Sequence, residues 1–551
     1  MPLSSSQIQY RILEIIPGFL VWMTFVLFII FSFLKPLWVI YFLILFSLYW
    51  IIRLFHFITY LIYSWFKYKK TIKIDWEEKL KEIPAWQNIY HLIIFPTYKE
   101  SVEILETAFK SLIKINYPSF EKKKKQKKLD KFIVVLAGEE RDRENFLKYA
   151  GIIKKKFAKY FYKFLITLHP QNLPGEIPCK AANLLWAGKK AKELIDELKI
   201  PYENILASPF DMETCVCPFY FSRLTYEYLT HPQGKQRSYQ PIIVFHNNIW
   251  DSPAFSRLLA SAFTFSSLFH LVRPEWLFSA CSHSLPFKAL VEVNFWDPDI
   301  ITDDHRIFLK CFKKYRGNYQ SIPLHIPVSM DAVYAGSFWQ TLVNQYRQQR
   351  RWAWGIENFP YIIWNFFIKK EGQKISFLKK FRYLWILSIE MYLWAVTPIL
   401  ILILAFLPMA FIDPETKASL FVQNAPFILD YFRKITLFGL IFSAILGTLL
   451  LPKRPINHKP SKYLFMILQW ALFPLCAIIF ASIPAIEAQT RLMLKRPLVY
   501  FQVTEKRRKS SEKKLFSLKC RYSDTFQTGN KCLTKRTVSE INRGKGKEIA
   551  P

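Results

Sequence analysis

"NILASPFDMET", Asn204 to Thr214, is an apolar run that stops abruptly at two carboxylates, Asp211 and Glu213. A short apolar run closed by turn residues reads as a buried strand. "HLIIFPTYKES", "KFIVVLAGEE", "FLITLHP" and "PIIVFHNN" have the same form. Helical patterns lie between them, including "SVEILETAFKSLIKI" and "CKAANLLWAGKKAKELIDELK". Alternation of strand and helix predicts an α/β, Rossmann-like, mostly parallel sheet with helices on both faces. Ligands of such sheets bind beyond the carboxyl ends of the strands. The polar residues after each strand are therefore the first candidates for chemistry, and Asp211 and Glu213 stand in such a place.

Composition adds a membrane. Of the 551 residues, 52% are hydrophobic, with 50 Phe and 17 Trp. "GFLVWMTFVLFIIFSFL", Gly18 to Leu34, and "PLWVIYFLILFSLYWII", Pro36 to Ile52, are separated by Lys35 alone. Each approaches the ~20 apolar residues that cross a bilayer, and together they predict a transmembrane hairpin. No small-residue cleavage site favours a signal peptide. Arg53, Lys67, Lys69 and Lys70 follow, and the positive-inside rule puts the next region in the cytoplasm. Apolar runs return at Trp385 to Ile412, Ile435 to Leu451 and Leu464 to Ile483. A cytoplasmic C-terminus requires an even number of later crossings, so either the long run bends or another lies flat. The net charge of +34 suits an anionic partner. Much of it lies in "FEKKKKQKKLDK", Phe120 to Lys131, and in the tail, which speaks for anionic lipid or solvent and against nucleic acid. The eight cysteines form no paired framework or zinc spacing, so reduced thiols are expected.

Two further stretches invite function. "FWDPDIITDDHRIFLK" places Thr302, Asp303 and Asp304 at the start of a helix. They read either as an N-cap or as a general base. "QYRQQRRWAWG", Gln345 to Gly355, sets three arginines and two tryptophans before an apolar segment. That reads as a membrane-surface helix end or as a site for an anionic, ring-shaped ligand. Asp211 with Glu213 is either a solvated turn or a divalent-cation site, since Mg²⁺ takes one or two carboxylates plus substrate phosphates.

The order of these stretches resembles the processive family 2 glycosyltransferases, the cellulose, chitin and hyaluronan synthases. Seven motifs carry the resemblance: "FPTYKES", "CKAANLLWAG", "DME", "FSACSHSL", "TDD", "QQRRW" and "FQVTEK". It implies a GT-A-like cytoplasmic domain flanked by transmembrane helices. It implies Mg²⁺ or Mn²⁺ on Asp211 and Glu213, and Asp304 as the base that deprotonates the acceptor. Lys180 would contact the nucleotide or phosphates, Arg351 the diphosphate, Gln348 the diphosphate or the acceptor, and Trp352 the acceptor sugar, while Thr504 and Lys506 would close over the nucleotide from a gating loop. Thr97, Glu100, Glu139 and Glu140 would face the nucleotide. The chain departs from the family in having TDD for T-E-D, and glutamates where the family has aspartates after the second strand. Arg347 and Arg350 are expected at the surface or against lipid.

The expected organisation is a transmembrane hairpin over 1–70, a cytoplasmic GT-A domain over 71–355, interfacial and transmembrane helices over 356–500, and the gating motif with a basic, disordered tail over 501–551. "NFPYIIWNFFIKK" is expected to lie as an amphipathic helix at the interface. The expected activity is inverting transfer from a nucleotide sugar, UDP-linked by resemblance, to a polysaccharide or membrane-associated acceptor at the plasma (inner) membrane. Single-sugar transfer to a polyprenyl phosphate or other lipid remains open, because no further apolar run follows "FQVTEK". A non-enzymatic transport component or scaffold is the alternative from another class.

Overall fold

The computed structural model describes residues 4–119, 128–498 and 506–508. Four parallel strands form the main sheet: β1 (Tyr90–Thr97), β2 (Leu129–Glu139), β3 (Phe161–His169) and β4 (Ile205–Pro209). Their order is β3-β2-β1-β4, and the two-residue strand β7 (Leu285–Pro286) adds antiparallel to β4. The apolar runs are buried on both faces, as all-parallel pairing requires: β2 exposes almost nothing from Phe132 to Glu139. The helix Val102–Leu112 packs on one face of the sheet. The helix Lys180–Glu197 packs on the other, through Leu184, Ala187, Ala191 and Ile195.

β1 is flanked by β2 on one side and β4 on the other. The chain reverses its direction of build there, and a crevice opens beyond the carboxyl ends of β1 and β4. "PIIVFHNN" forms a strand, β6 (Arg237–Val244), but outside this sheet. It pairs in parallel with β8 (Gln320–Ser329), which also holds β5 (Cys215–Val216) antiparallel. This second sheet extends the floor of the crevice past β4.

Five helical stretches are long and apolar enough to cross a membrane: Ser5–Leu34, Pro36–Thr71, Phe377–Leu402, Leu420–Leu450 and Lys462–Met493. Pro36 at the first position of the second helix ends the first one at Lys35, since proline has no N–H to continue it. The first four alternate in direction. Tyr10, near the start of the first, packs on Trp364, and Phe33, near its end, packs on Phe411. Tyr41 at the start of the second meets Phe421 at the start of the fourth, while His56 and Phe57 return to Phe269 of the α/β domain. Large apolar side chains such as Trp38, Leu420 and Phe438 face outward, as lipid contact requires.

The fifth stretch behaves differently. Lys462 donates to the carbonyl of Trp250, Trp470 stacks on Phe265, and Phe480 stacks on Phe255. At its other end Glu487 pairs with Arg350, and Leu492 O accepts from Arg11. It also packs on the third helix, where Ser482 Oγ donates to Ala395 O and Gln489 Nε2 donates to Met391 O at 3.0 Å, and on the first, where Trp22 Nε1 donates to Thr490 Oγ1 at 2.8 Å. A 3-10 turn over Gln469–Leu472, then Pro474 and Pro484 with a π turn between them, interrupt its regular α-helix. "NFPYIIWNFFIKK" is a helix followed by a π turn, and Pro360, Ile362 and Phe366 are buried against the domain. The six cysteines among the described residues are free thiols.

Candidate active site

Three carboxylates converge on one ammonium in the crevice. Lys180 begins the helix Lys180–Glu197, and its Nζ lies 2.9 Å from Asp211 Oδ1, 3.2 Å from Asp303 Oδ2 and 3.9 Å from Asp304 Oδ1. Asp211 comes from the turn after β4, and Asp303 and Asp304 from the first turn of the helix Asp303–Lys314. Segments far apart in sequence thus meet at the carboxyl end of β4. Burial works against the Lys180 charge, but the three carboxylates outweigh it and hold the ammonium firmly protonated.

The same surroundings drive the two neighbouring aspartates apart. Burial and the adjacent Asp304 push the Asp303 carboxyl up to about 7. Burial also opposes charge on Asp304, yet Lys180 and His283 outweigh it and hold that carboxyl well below the usual range. His283 Nδ1 lies 3.5 Å from Asp304 Oδ1 and 2.9 Å from the carbonyl of Ala280. The surroundings therefore drive the two adjacent acids in opposite directions, the kind of separation that gives neighbouring acids different tasks.

The second acid of "DME" has another partner. Glu213 is buried and pairs with Lys506. Burial raises its carboxyl, and Lys506 opposes the rise. Lys506 bridges Tyr334 as a short parallel strand contact, and Arg507 N donates to Tyr334 O at 2.8 Å. Arg508 then grips the fully buried Asp331, with Nη2 2.7 Å from Oδ1 and Nε 3.0 Å from Oδ2. The three described tail residues therefore lie on the domain at the rim of the crevice. Thr504 lies outside the described residues. Glu100 shares this corner, and burial pushes its carboxyl up to about 8, with Glu213 adding to the rise and Lys506 opposing it.

From the helix Phe338–Ala353, Arg351 points toward the acids. Burial lowers its affinity for a proton, while Asp211, Glu213 and Asp303 support its charge. Gln348 is buried and accepts from Gln345 Nε2 at 3.2 Å. Trp352 lies against Phe263, ring centres 4.6 Å apart. Arg347 is exposed, as expected. Arg350 departs from the expectation of a surface or lipid contact: its Nη1 lies 2.7 Å from Glu487 Oε1, which ties this helix to the bent fifth stretch. At the β1 and β2 ends, Thr97 is buried and its hydroxyl contacts Phe95 O and Met212 Sδ at 3.3 Å. Glu139 holds Arg141, whose guanidinium lies 4.2 Å above the Tyr98 ring. Glu140 accepts from Gln171 N at 3.3 Å.

A divalent cation fits this donor set only as one shared with a ligand. Among the described residues, no group of three or more His, Cys, Asp or Glu side chains is arranged as a metal cage. Asp303 Oδ2 and Asp304 Oδ1 are nonetheless shielded from water without a well-formed hydrogen bond, and Asp211 is partly open. That suits Mg²⁺ or Mn²⁺, which complete their shell with phosphate oxygens and water. Reading the sequence alone missed His283, Asp331 and Arg508. Asp331 lies just past β8, so the strand-end rule points to it once β8 is recognised; His283 lies inside the "FSACSHSL" motif without having been singled out, and Arg508 two residues after "FQVTEK".

Residues 210–483 match the family described as glycosyl transferase family group 2. No curated protein matches the chain. A solved structure of GalNAc-T7 with UDP, GalNAc and Mn²⁺ is 8% identical, with a TM-score of 0.29 over 55% of this chain. The alignment spans 57% of that protein's length. Asp211, Glu213, Asp303, Asp304 and the Gln348–Trp352 segment all lie within the stretch that resembles that family.

Proposed function

We propose that the protein is an inverting glycosyltransferase that moves a sugar from a nucleoside diphosphate sugar to a saccharide or lipid-linked acceptor at a membrane surface. The observation that carries this reading is the Lys180 ammonium set among Asp211, Asp303 and Asp304, with Arg351 beside them at the strand ends. Lys180, Arg351 and Lys506 bring three cations to one crevice, where a diphosphate would be bound and its leaving charge stabilised. Gln348 adds a polar contact, and Thr504 joins Lys506 by resemblance to the gating motif. Asp211, with Glu213 beside it, would hold Mg²⁺ or Mn²⁺; such an ion supplies charge neutralisation at the departing diphosphate. Asp304 takes the proton of the acceptor hydroxyl as that oxygen attacks the anomeric carbon. Thr97, Glu100, Glu139 and Glu140 border the nucleotide, with the Arg141–Tyr98 stack beside it. A uridine nucleotide is favoured by resemblance to the processive synthases, which also supports a growing polysaccharide as acceptor.

Orientation follows from charge. Lys67, Lys69 and Lys70, then Lys379 and Arg382, Lys453 and Arg454, and Lys495 and Arg496 all stand at the domain-side ends of the apolar helices. The positive-inside rule then sets the domain in the cytoplasm, with four crossings and the fifth stretch lying along the inner surface. The plasma (inner) membrane is the expected location. Incubation of membranes with labelled UDP- and GDP-sugars, followed by sizing of the product, tests the reading. A long product supports a polymerising enzyme, a single added sugar on lipid supports lipid glycosylation, and no transfer from any donor refutes both.

A further inference from the structure

The helix Asp303–Lys314 carries both central acids, yet Thr302 does not cap it with its own side chain. Thr302 turns instead to Glu357. Glu357 Oε1 accepts from the Thr302 N–H at 3.2 Å and from the Thr302 hydroxyl at 2.5 Å. Its Oε2 accepts from the Trp354 indole N–H at 2.7 Å. Asn358 closes the arrangement: Nδ2 donates to Thr302 Oγ1 at 3.0 Å and to Gly355 O at 3.2 Å, and Oδ1 accepts from Arg306 Nε at 2.9 Å. Trp354 to Asn358 form the turn directly after the helix that presents Gln348, Arg351 and Trp352. One partly buried carboxylate therefore joins the first turn of the acid-bearing helix to the end of the arginine-bearing helix.

We propose that Glu357 is a positioning residue: it fixes Asp303 and Asp304 relative to Arg351 by clamping Thr302 to the turn after the Gln348–Trp352 segment. The proposal rests on the glycosyl-transfer reading for its kinetic consequence, but the clamp itself is a structural claim. The Glu357 carboxylate acts through Thr302 and the turn, which supply its hydrogen bonds. Both Glu357 oxygens accept. An amide in its place turns one of these contacts into donor against donor, so Glu357→Gln opens the clamp without a change of size. The shift falls on the distance between the proton acceptor and the diphosphate contacts, to which transfer rate is sensitive.

The test uses the full chain in lipid nanodiscs. Glu357→Gln should lower kcat by roughly 10- to 100-fold with donor KM changed less than about threefold, at an unchanged melting temperature. Thr302→Val should lower kcat in the same sense. The double variant should lose less than the product of the two single losses, because both open the same contact. Amide exchange over residues 302–306 should accelerate in Glu357→Gln. Wild-type kcat in Glu357→Gln, fully multiplicative losses, or unchanged exchange over 302–306 overturns the proposal. So does a parallel fall of kcat and melting temperature, which marks a merely structural residue. If the wild-type chain transfers no sugar at all, the functional reading fails, and the exchange measurement still decides the clamp.

Discussion

Replacing Lys180 by methionine tests the electrostatic centre of the site. The ammonium is mostly buried and stands 2.9 Å from Asp211, 3.2 Å from Asp303 and 3.9 Å from Asp304. Its loss leaves three carboxylates facing one another without that counter-charge. Removing one partner of a buried ion pair costs about 3–5 kcal/mol, and three clustered acids place this case toward the upper end unless they take up protons. The sign with pH follows. Asp304 has a depressed carboxyl in the folded protein, so it contributes stability above the unfolded value near ~3.9, and that stability is lost as pH falls through the folded value. Without Lys180 the acids rise, the folded state binds more protons than the unfolded chain, and stability recovers as pH falls. The deficit of Lys180→Met should thus be largest near pH 8 and shrink toward pH 5. At roughly 2–4 °C per kcal/mol for a domain of this size, the expected loss near pH 8 is about 10 °C in thermal unfolding of the nanodisc-embedded chain. Mn²⁺ should restore the variant more than it stabilises the wild type, because Lys180 no longer competes for Asp211. A variant as stable as wild type at pH 8, or a deficit that grows as pH falls, refutes the reasoning.

Asp211→Ala should abolish transfer and leave the melting temperature within a few degrees; full activity in this variant or in EDTA rejects the metal assignment. Asp304→Asn should cost roughly 10²–10⁴-fold in kcat, the usual range for loss of a general base, with donor binding little changed. Asp303→Asn should cost less and should remove a step near pH 7 from the pH–rate profile, because the Asp303 carboxyl is pushed up to about 7; persistence of that step moves the assignment to another group. A chain ending after Phe516 should keep activity, whereas one ending after Tyr500 should lose most of it, since it lacks the contacts of Lys506 with Glu213 and of Arg508 with Asp331. Equal activity of the two refutes a role for the tail at the crevice.

The parallel core was legible because β1 to β4 are apolar runs buried on both faces and closed by polar turns. β8 was not. "QSIPLHIPVS" carries Pro323 and Pro327, which demote a strand pattern, and His325 at φ 52° breaks its alternation. Without β8, the strand of "PIIVFHNN" has no visible partner and reads as part of the main sheet. Asp211, Asp303 and Asp304 were legible from strand ends and helix starts, and their convergence on Lys180 is a tertiary fact that spacing does not contain. Arg350 was misjudged because Glu487 lies far along the chain. The fifth apolar stretch shows the limit of hydropathy: length and composition are the same for a helix that crosses and for one that lies along a domain. Its contacts with Trp250, Phe255 and Arg350, which hydropathy does not contain, are what support the second reading. Glu357 escaped notice because it lies beyond the Gln348–Trp352 motif and acts through Thr302.

The most direct measurement of the central claim is sugar transfer by the purified chain in nanodiscs, using a panel of labelled nucleotide sugars with Mg²⁺ or Mn²⁺. Wild type and Asp304→Asn are compared at equal donor occupancy. The account predicts transfer from at least one nucleoside diphosphate sugar with inversion at the anomeric carbon, and loss of that transfer in Asp304→Asn. Retention of anomeric configuration, undiminished transfer by Asp304→Asn, or no transfer from any donor contradicts it.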